Sequence, residues 1–221
     1  MLENSPSPAR IVSLCVSKPK SIMYQGHELR TGIFKEPVQG KVVLRRLNLD
    51  GDEQADLTVH GGVDKALYVY AAEHYPFWRN ELPDTKFEWG AFGENLTTEG
   101  LLEGSVCIGD EFQAGTAVIR VTQPRLPCYK LALKIGRSDI IKRFMKSGRS
   151  GIYFSVLEEG VLGVDDEIKY LRSDQHKVTV AEVASLFGQR DYDAALVERI
   201  LNSNLAAQMK GFVSDAFERR R

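Results

Sequence analysis

Apolar and polar positions alternate in short runs through most of the chain. RIVSLCVS (10–17), KVVLRRL (41–47), KALYVY (65–70), SVCIGDEF (105–112) and TAVIRVTQ (116–123) are each bounded by Gly, Pro, Asp or Asn turns, the signature of strands. The last two are separated by Gln113, Ala114 and Gly115, short enough for a hairpin. Many short strands with few helices between them predict a mainly β chain built on a barrel. Helical spacing shows in AAEHYPFWRNEL (71–82) and in SDIIKRFMKSG (138–148), where Ser138 is placed to cap and Ile140, Ile141, Phe144 and Met145 share a face.

The pattern changes near Ser173. TVAEVASLF opens with a Thr-x-x-Glu capping box at Thr179, and DYDAALVERILNS and NLAAQMKGFVSDAF follow; Leu205, Met209, Phe212, Val213, Ala216 and Phe217 fall on one helical stripe. The expected division is a barrel domain over residues 1–173 and a small three-helix domain over 174–221. A three-helix unit invites a helix-turn-helix reading, but residues 174–221 carry seven basic and seven acidic side chains, which gives no electrostatic footprint for a nucleic acid polymer.

Composition narrows the class further. The 221 residues are 43% hydrophobic and 27% charged with a net charge of -1, ordinary for a globular protein with no general affinity for nucleic acid or membrane. The first residues, MLENSPSPAR, lack a basic n-region and an apolar h-region and are expected to fray, and no run of 18 apolar residues follows; a cytoplasmic protein is expected. Three widely spaced cysteines, Cys15, Cys107 and Cys128, form no CxxC pair, so neither a disulfide framework nor a cysteine-only zinc or iron-sulfur site is expected.

Three stretches carry candidate chemistry. Cys128 follows Pro124 and Pro127, which hold the chain rigidly, and Arg120 to Arg149 contains nine basic residues against the single acid Asp139. Such a field favours a thiolate, a nucleophile and a metal ligand, and would also hold an anion; the alternative is a small core cysteine beside a solvated basic helix face. In the second stretch His60, Gly61 and Gly62 precede a strand with Lys65 nearby. Glycine there allows positive φ and close approach to a ligand, and the amides of such turns can form an anion nest, although a lone histidine is more often structural. The third, GAFGENLTTEG (90–100), crowds Gly93, Glu94 and Asn95 into what reads as a solvent-facing loop. Cys15 and Cys107 lie inside apparent strands and read as inert core thiols.

Together, DEQADLTVHGG with DKALYVYAAEHYPFW, GAFGENLTTEGL, VCIGDEF, VTQPRLPCYKL and SGRSGIYFSVLEEG, in that order, resemble the MOSC-domain family and within it the YiiM-like group, to whose appended three-helix unit the tail is also similar. The resemblance implies a MOSC-type β-barrel binding the molybdenum cofactor, a phosphate-bearing pterin dithiolene (molybdopterin), with Cys128 as the protein ligand to molybdenum. It further implies a pocket that includes His60, Gly61, Gly62, Gly93, Glu94, Asn95, Gly148 and Arg149; Lys65, near the glycine pair, and Arg125, in the basic stretch, are expected to bind the cofactor with them. The implied activity is detoxifying reduction of N-hydroxylated compounds such as 6-hydroxylaminopurine, from N–OH to N–H with release of water. No flavin, nicotinamide or iron-sulfur motif is present, so a separate reductase would supply electrons. A persulfide carrier on Cys128, or a cofactor carrier or sensor without turnover, stands as the alternative. A homodimer is compatible with all three.

Overall fold

The computed structural model describes residues 9–55, 61–187 and 193–218. Residues 1–8, His60 and residues 191–192, all of which figure in the expectations above, lie outside the described residues. The strands are β1 (Ala9–Val16), β2 (Lys20–Tyr24), β3 (His27–Thr31), β4 (Glu36–Pro37), β5 (Lys41–Leu44), β6 (Leu67–Ala71), β7 (Leu96–Glu99), β8 (Glu111–Ala114), β9 (Ala117–Pro124), β10 (Ile152–Glu158), β11 (Gly160–Gly163) and β12 (Glu167–Arg172). The helices are α1 (Tyr75–Glu81), α2 (Tyr129–Ile135), α3 (Ile140–Ser147), α4 (Val180–Ser185), α5 (Ala194–Asn202) and α6 (Ala207–Glu218).

Seven strands close into a barrel in the order β12, β8, β9, β10, β6, β7, β1, and β1 returns to β12 through Ala9 opposite Ile168. Neighbours run antiparallel except β6 and β7, which are parallel. The fold is thus mainly β with a helical C-terminal part, as expected. β6 shows why the barrel acquires a second layer. Its five residues are all buried because Leu67 and Val69 face the barrel interior while Tyr68 and Tyr70 face an aromatic cluster with Tyr75, Trp78, Phe92 and Phe144 outside it. That cluster seats α1, α2, α3 and the turn before β7 against the barrel wall, and these elements carry much of the site described below.

Several local expectations are corrected. Of SVCIGDEF only the end is strand: the Asp110 carboxylate accepts from the Cys107 and Asp174 amides, each at 2.9 Å, folding the chain into a turn, and Cys107 makes one isolated bridge to Thr179. The hairpin turn is Gly115–Thr116, since Ala114 pairs with Ala117. Ser138 does not cap α3. Asp139 occupies that place, and its carboxylate is bound by Arg137 at 3.0 Å and Arg143 at 2.7 Å instead of by the helix amides. Residues 90–100 are no solvent-facing loop: Glu94 and Asn95 are buried and Leu96–Glu99 is β7 of the barrel. The Thr179 capping box forms as read, with both of its hydrogen bonds. Buried residues of the tail, including Val180, Val183, Ile200 and Met209, belong to the same hydrophobic cluster as the barrel interior. Among the described residues no helix is long and apolar enough to cross a membrane.

Candidate active site

Cys128 is the N-cap residue of α2, in extended conformation (φ −124°, ψ 174°), where the chain leaves β9 through Pro124 and Pro127. The thiol is half-buried and lines a cavity of about 120 Å³ between the barrel rim and the helical layer. Cys15 is fully buried and Cys107 half-buried, and burial pushes both thiols up to about 11; neither lines this cavity. Of the three cysteines, Cys128 is the one that lines this cavity.

Positive charge surrounds that space from four parts of the chain. Lys35 follows β3, Lys65 ends the 3₁₀ turn Val63–Lys65, Arg125 follows β9, and Lys130 is in the first turn of α2. Three of these charges are engaged within the fold. Lys35 donates to Asp52, whose other oxygen accepts from Asn95 Nδ2 at 2.9 Å; burial pushes the Lys35 ammonium down against the pull of Asp52. Arg125 donates to the Phe92 carbonyl and lies 4.8 Å over the Tyr68 ring, which leaves further guanidinium N–H groups for a ligand. Lys65 donates to Gln208 Oε1 at 2.7 Å. Lys130 differs from the others. It is only 9% exposed, lines the cavity, and its ammonium has no hydrogen-bond or ion-pair partner among the described residues. An ammonium that lines the cavity and is not engaged by the fold can give charge-assisted hydrogen bonds to an anionic ligand.

The expected site residues separate into three groups. Lys65, Gly93, Asn95, Arg125 and Cys128 line the cavity together. Gly93 has φ 77°, and a Cβ there would stand 2.8 Å from Ile33 Cγ1, so glycine lets the turn approach the wall. Glu94, Gly61 and Gly62 act behind that wall. Fully buried Glu94 accepts from the Gly90 amide at 2.8 Å, the Phe92 amide at 3.0 Å, the Thr97 hydroxyl at 3.1 Å and the Tyr75 hydroxyl, which shapes the turn that presents Gly93 and Asn95. Gly62, at φ 97°, donates to Gln54 Oε1 at 2.7 Å beside its neighbour Gly61, so this pair shapes the approach to Lys65. Arg149 is set apart. It lies 3.8 Å over the Phe77 ring and donates to the Ser147 carbonyl at 3.1 Å, in a different surface cleft with Glu81 and Arg143.

Sequence reasoning did not single out Lys35, Asp52, Gln123 or Tyr153. Lys35 and Asp52 carry no local signal. Gln123 carries none either: a register shift between Val121 and Gln123 breaks the alternation set by Ile119 and Val121 and pairs Gln123 with Tyr153. Cys128 also lines a second cleft, of about 170 Å³, whose far wall is Gln208, Met209 and Phe212 of α6.

The MOSC domain family profile matches residues 56–169. YflK of Bacillus subtilis is 43% identical over 193 residues, 87% of this chain and 86% of that protein. YiiM of Escherichia coli is 41% identical over 175 residues, 78% of each chain. A protein named reductase from Gibberella moniliformis is 34% identical over 78% of this chain, which makes up 31% of that longer protein. The crystal structure of YiiM from Geobacillus stearothermophilus superposes with a TM-score of 0.79 at 33% identity, covering 95% of this chain and 99% of that one. With the barrel, the helical tail and the cysteine-bearing cavity all in place, this chain belongs to the MOSC domain family, in its YiiM-like group.

Proposed function

We propose that this chain is a molybdenum-cofactor-dependent oxidoreductase that reduces N-hydroxylated compounds such as 6-hydroxylaminopurine to the amine. The observation that carries the reading is the pairing, in one cavity, of the half-buried Cys128 thiol with the unpartnered ammonium of Lys130. The residues present fit the group: a thiolate is a soft ligand for molybdenum, and Lys130, Arg125 and Lys65 offer charge-assisted hydrogen bonds to a phosphate-bearing pterin. When bound, the cofactor supplies the two-electron chemistry that removes oxygen from an N–OH group and leaves N–H and water. The protein's own contribution is ligation by Cys128, neutralisation of the anion by the basic wall, and exclusion of bulk water by the burial of that wall. The reductase name of the Gibberella relative supports a redox role, and electrons would come from a separate reductase protein. Free thiols suit a reducing compartment, which supports a cytoplasmic reading.

The test is expression in a host that makes the cofactor, followed by molybdenum and pterin analysis and assay of 6-hydroxylaminopurine reduction with an artificial electron donor. Cys128→Ser is expected to lose bound molybdenum and activity while keeping the wild-type circular dichroism spectrum. Lys130→Met should weaken cofactor retention roughly ten- to a hundredfold, the worth of one charge-assisted hydrogen bond. Full activity with bound metal in Cys128→Ser would refute the assignment.

A further inference from the structure

Among the described residues β2 and β3 pair with each other and with no other strand. Their turn, Gln25–Gly26, has positive φ at both residues (50° and 80°), the form that closes a two-residue hairpin, so the hairpin is complete by itself. Of its ten strand residues only Thr31 is buried, and no side chain from Lys20 to Arg30 joins the barrel core or the aromatic cluster. Its two ends, by contrast, are fixed at the wall of the Cys128 cavity. The Ser17 amide donates to Asp52 Oδ1 at 2.8 Å, the Ile33 carbonyl accepts from Lys134 at 2.8 Å, and Thr31, Gly32 and Ile33 line the cavity. The tip reaches a different part of the same wall: Tyr24, beside the turn, stacks on Tyr129 with ring centroids 5.5 Å apart, and Tyr129 directly follows Cys128. The hairpin thus bridges two parts of the cavity wall that are distant in the chain. An aromatic stack holds its tip, and exposed ion pairs near its ends, such as Lys20 with Glu36 at 2.9 Å, add little.

The cavity is also small for the group proposed to occupy it. Its volume of about 120 Å³, and the 170 Å³ or so of the adjoining cleft, both fall below the roughly 300 Å³ at which pockets for ligands of that size begin. A wall element has to move for a phosphate-bearing pterin to enter, and the hairpin is the one that neither hydrophobic cluster holds. We propose that β2–β3 is a gate over the cavity. The Tyr24–Tyr129 stack parts, the hairpin swings as one unit about the chain at Lys18–Pro19 and at Gly32, and it closes again over the bound cofactor. Gly32 suits a hinge because a residue without Cβ has the widest backbone freedom, and in the closed state a Cβ there would stand 3.0 Å from the Glu53 carbonyl oxygen. Tyr24 and Tyr129 are then a latch and not ligands of the cofactor. The inference rests on the cofactor reading proposed above.

The experiment compares full-length wild type, Tyr24→Ala and Tyr24→Phe. On cofactor-free protein it measures how fast a bulky maleimide alkylates Cys128, read on the Cys128 peptide by mass spectrometry. On cofactor-loaded protein it measures the rates of pterin release and reloading. Losing an aromatic stack should raise the open fraction roughly two- to tenfold, and alkylation in Tyr24→Ala should quicken by that factor. Tyr24→Phe keeps the ring and should behave as wild type. Release and reloading should quicken together in Tyr24→Ala, leaving affinity unchanged, whereas Lys130→Met should quicken release alone. Unchanged alkylation and release in Tyr24→Ala would overturn the gate, and so would faster release without faster reloading, which would make Tyr24 a cofactor contact. If wild type takes up neither pterin nor molybdenum while Cys128 alkylation still responds to Tyr24→Ala, the cofactor reading falls and the gate stands.

Discussion

Lys130 and Lys134 are neighbours on one face of α2 and meet different fates. Lys130 faces the cavity without a protein partner, whereas Lys134 donates to the Ile33 carbonyl at 2.8 Å and the Gly90 carbonyl at 2.6 Å, clasping two loops of the cavity wall. Burial pushes the Lys134 ammonium down to about 8, against the pull of Glu94 and Cys15, from an ordinary value of 10.5. Between these two values the unfolded chain holds a proton that the folded chain has released. Lys134 therefore contributes a rise in stability as pH climbs from about 8 towards 10.5, and no further change below that window, where both states are charged. Urea unfolding at pH 8 and pH 10 should show this rise in wild type relative to Lys134→Met; an identical pH dependence in both would place the titration elsewhere. Basic composition alone predicted a positive field around Cys128. It could not say that Lys130 turns inward, that Lys134 is used up holding loops, or that Arg149 stacks on Phe77 away from the cavity.

Elements whose cause is local were legible. The α4 cap needs only Thr179 and Glu182: the Thr179 hydroxyl accepts from the Glu182 amide at 3.1 Å, and the Glu182 carboxylate accepts from the Thr179 amide at 2.7 Å. Thr179→Ala should cost about 1 kcal/mol in denaturant unfolding. A loss within error of zero would mean that the bridge from Thr179 to Cys107 and the packing of Val180 and Val183 hold α4 unaided. β1, β6 and β9 likewise follow from period-two alternation. Elements with a non-local cause were not legible. α2 is a seven-residue helix that gains its place by burying Leu131 in the aromatic cluster, and β7 exists because β1 and β6 supply partners on both of its edges. The polar text GENLTTEG gives no hint of those partners, which is why it read as a loop.

In the whole molecule the tail is laced onto the barrel. The Ile108 amide donates to the Val178 carbonyl at 2.8 Å, the Val180 amide to the Val106 carbonyl at 3.0 Å and the Ala181 amide to the Glu103 carbonyl at 2.9 Å, and the apolar residues of both parts form one cluster. A chain ending at residue 173 would expose Val106, Ile108 and their neighbours and leave those backbone groups unpaired, so it is expected to aggregate. A soluble, monomeric truncation that binds cofactor would instead support independent domains divided at 173. By itself the sequence determined the strands β1, β6 and β9, the capped helical tail, the family and the cysteine of interest, because alternation, capping and motif text are written over a few neighbouring residues. Only the tertiary structure decided which basic groups face Cys128, that Glu94 builds a turn behind the wall, and that Met209 and Phe212 form the far wall of the second cleft beside Cys128. Those pairings join residues distant in the chain, and which charge is buried or left without a partner depends on how the layers pack, a property no local pattern carries.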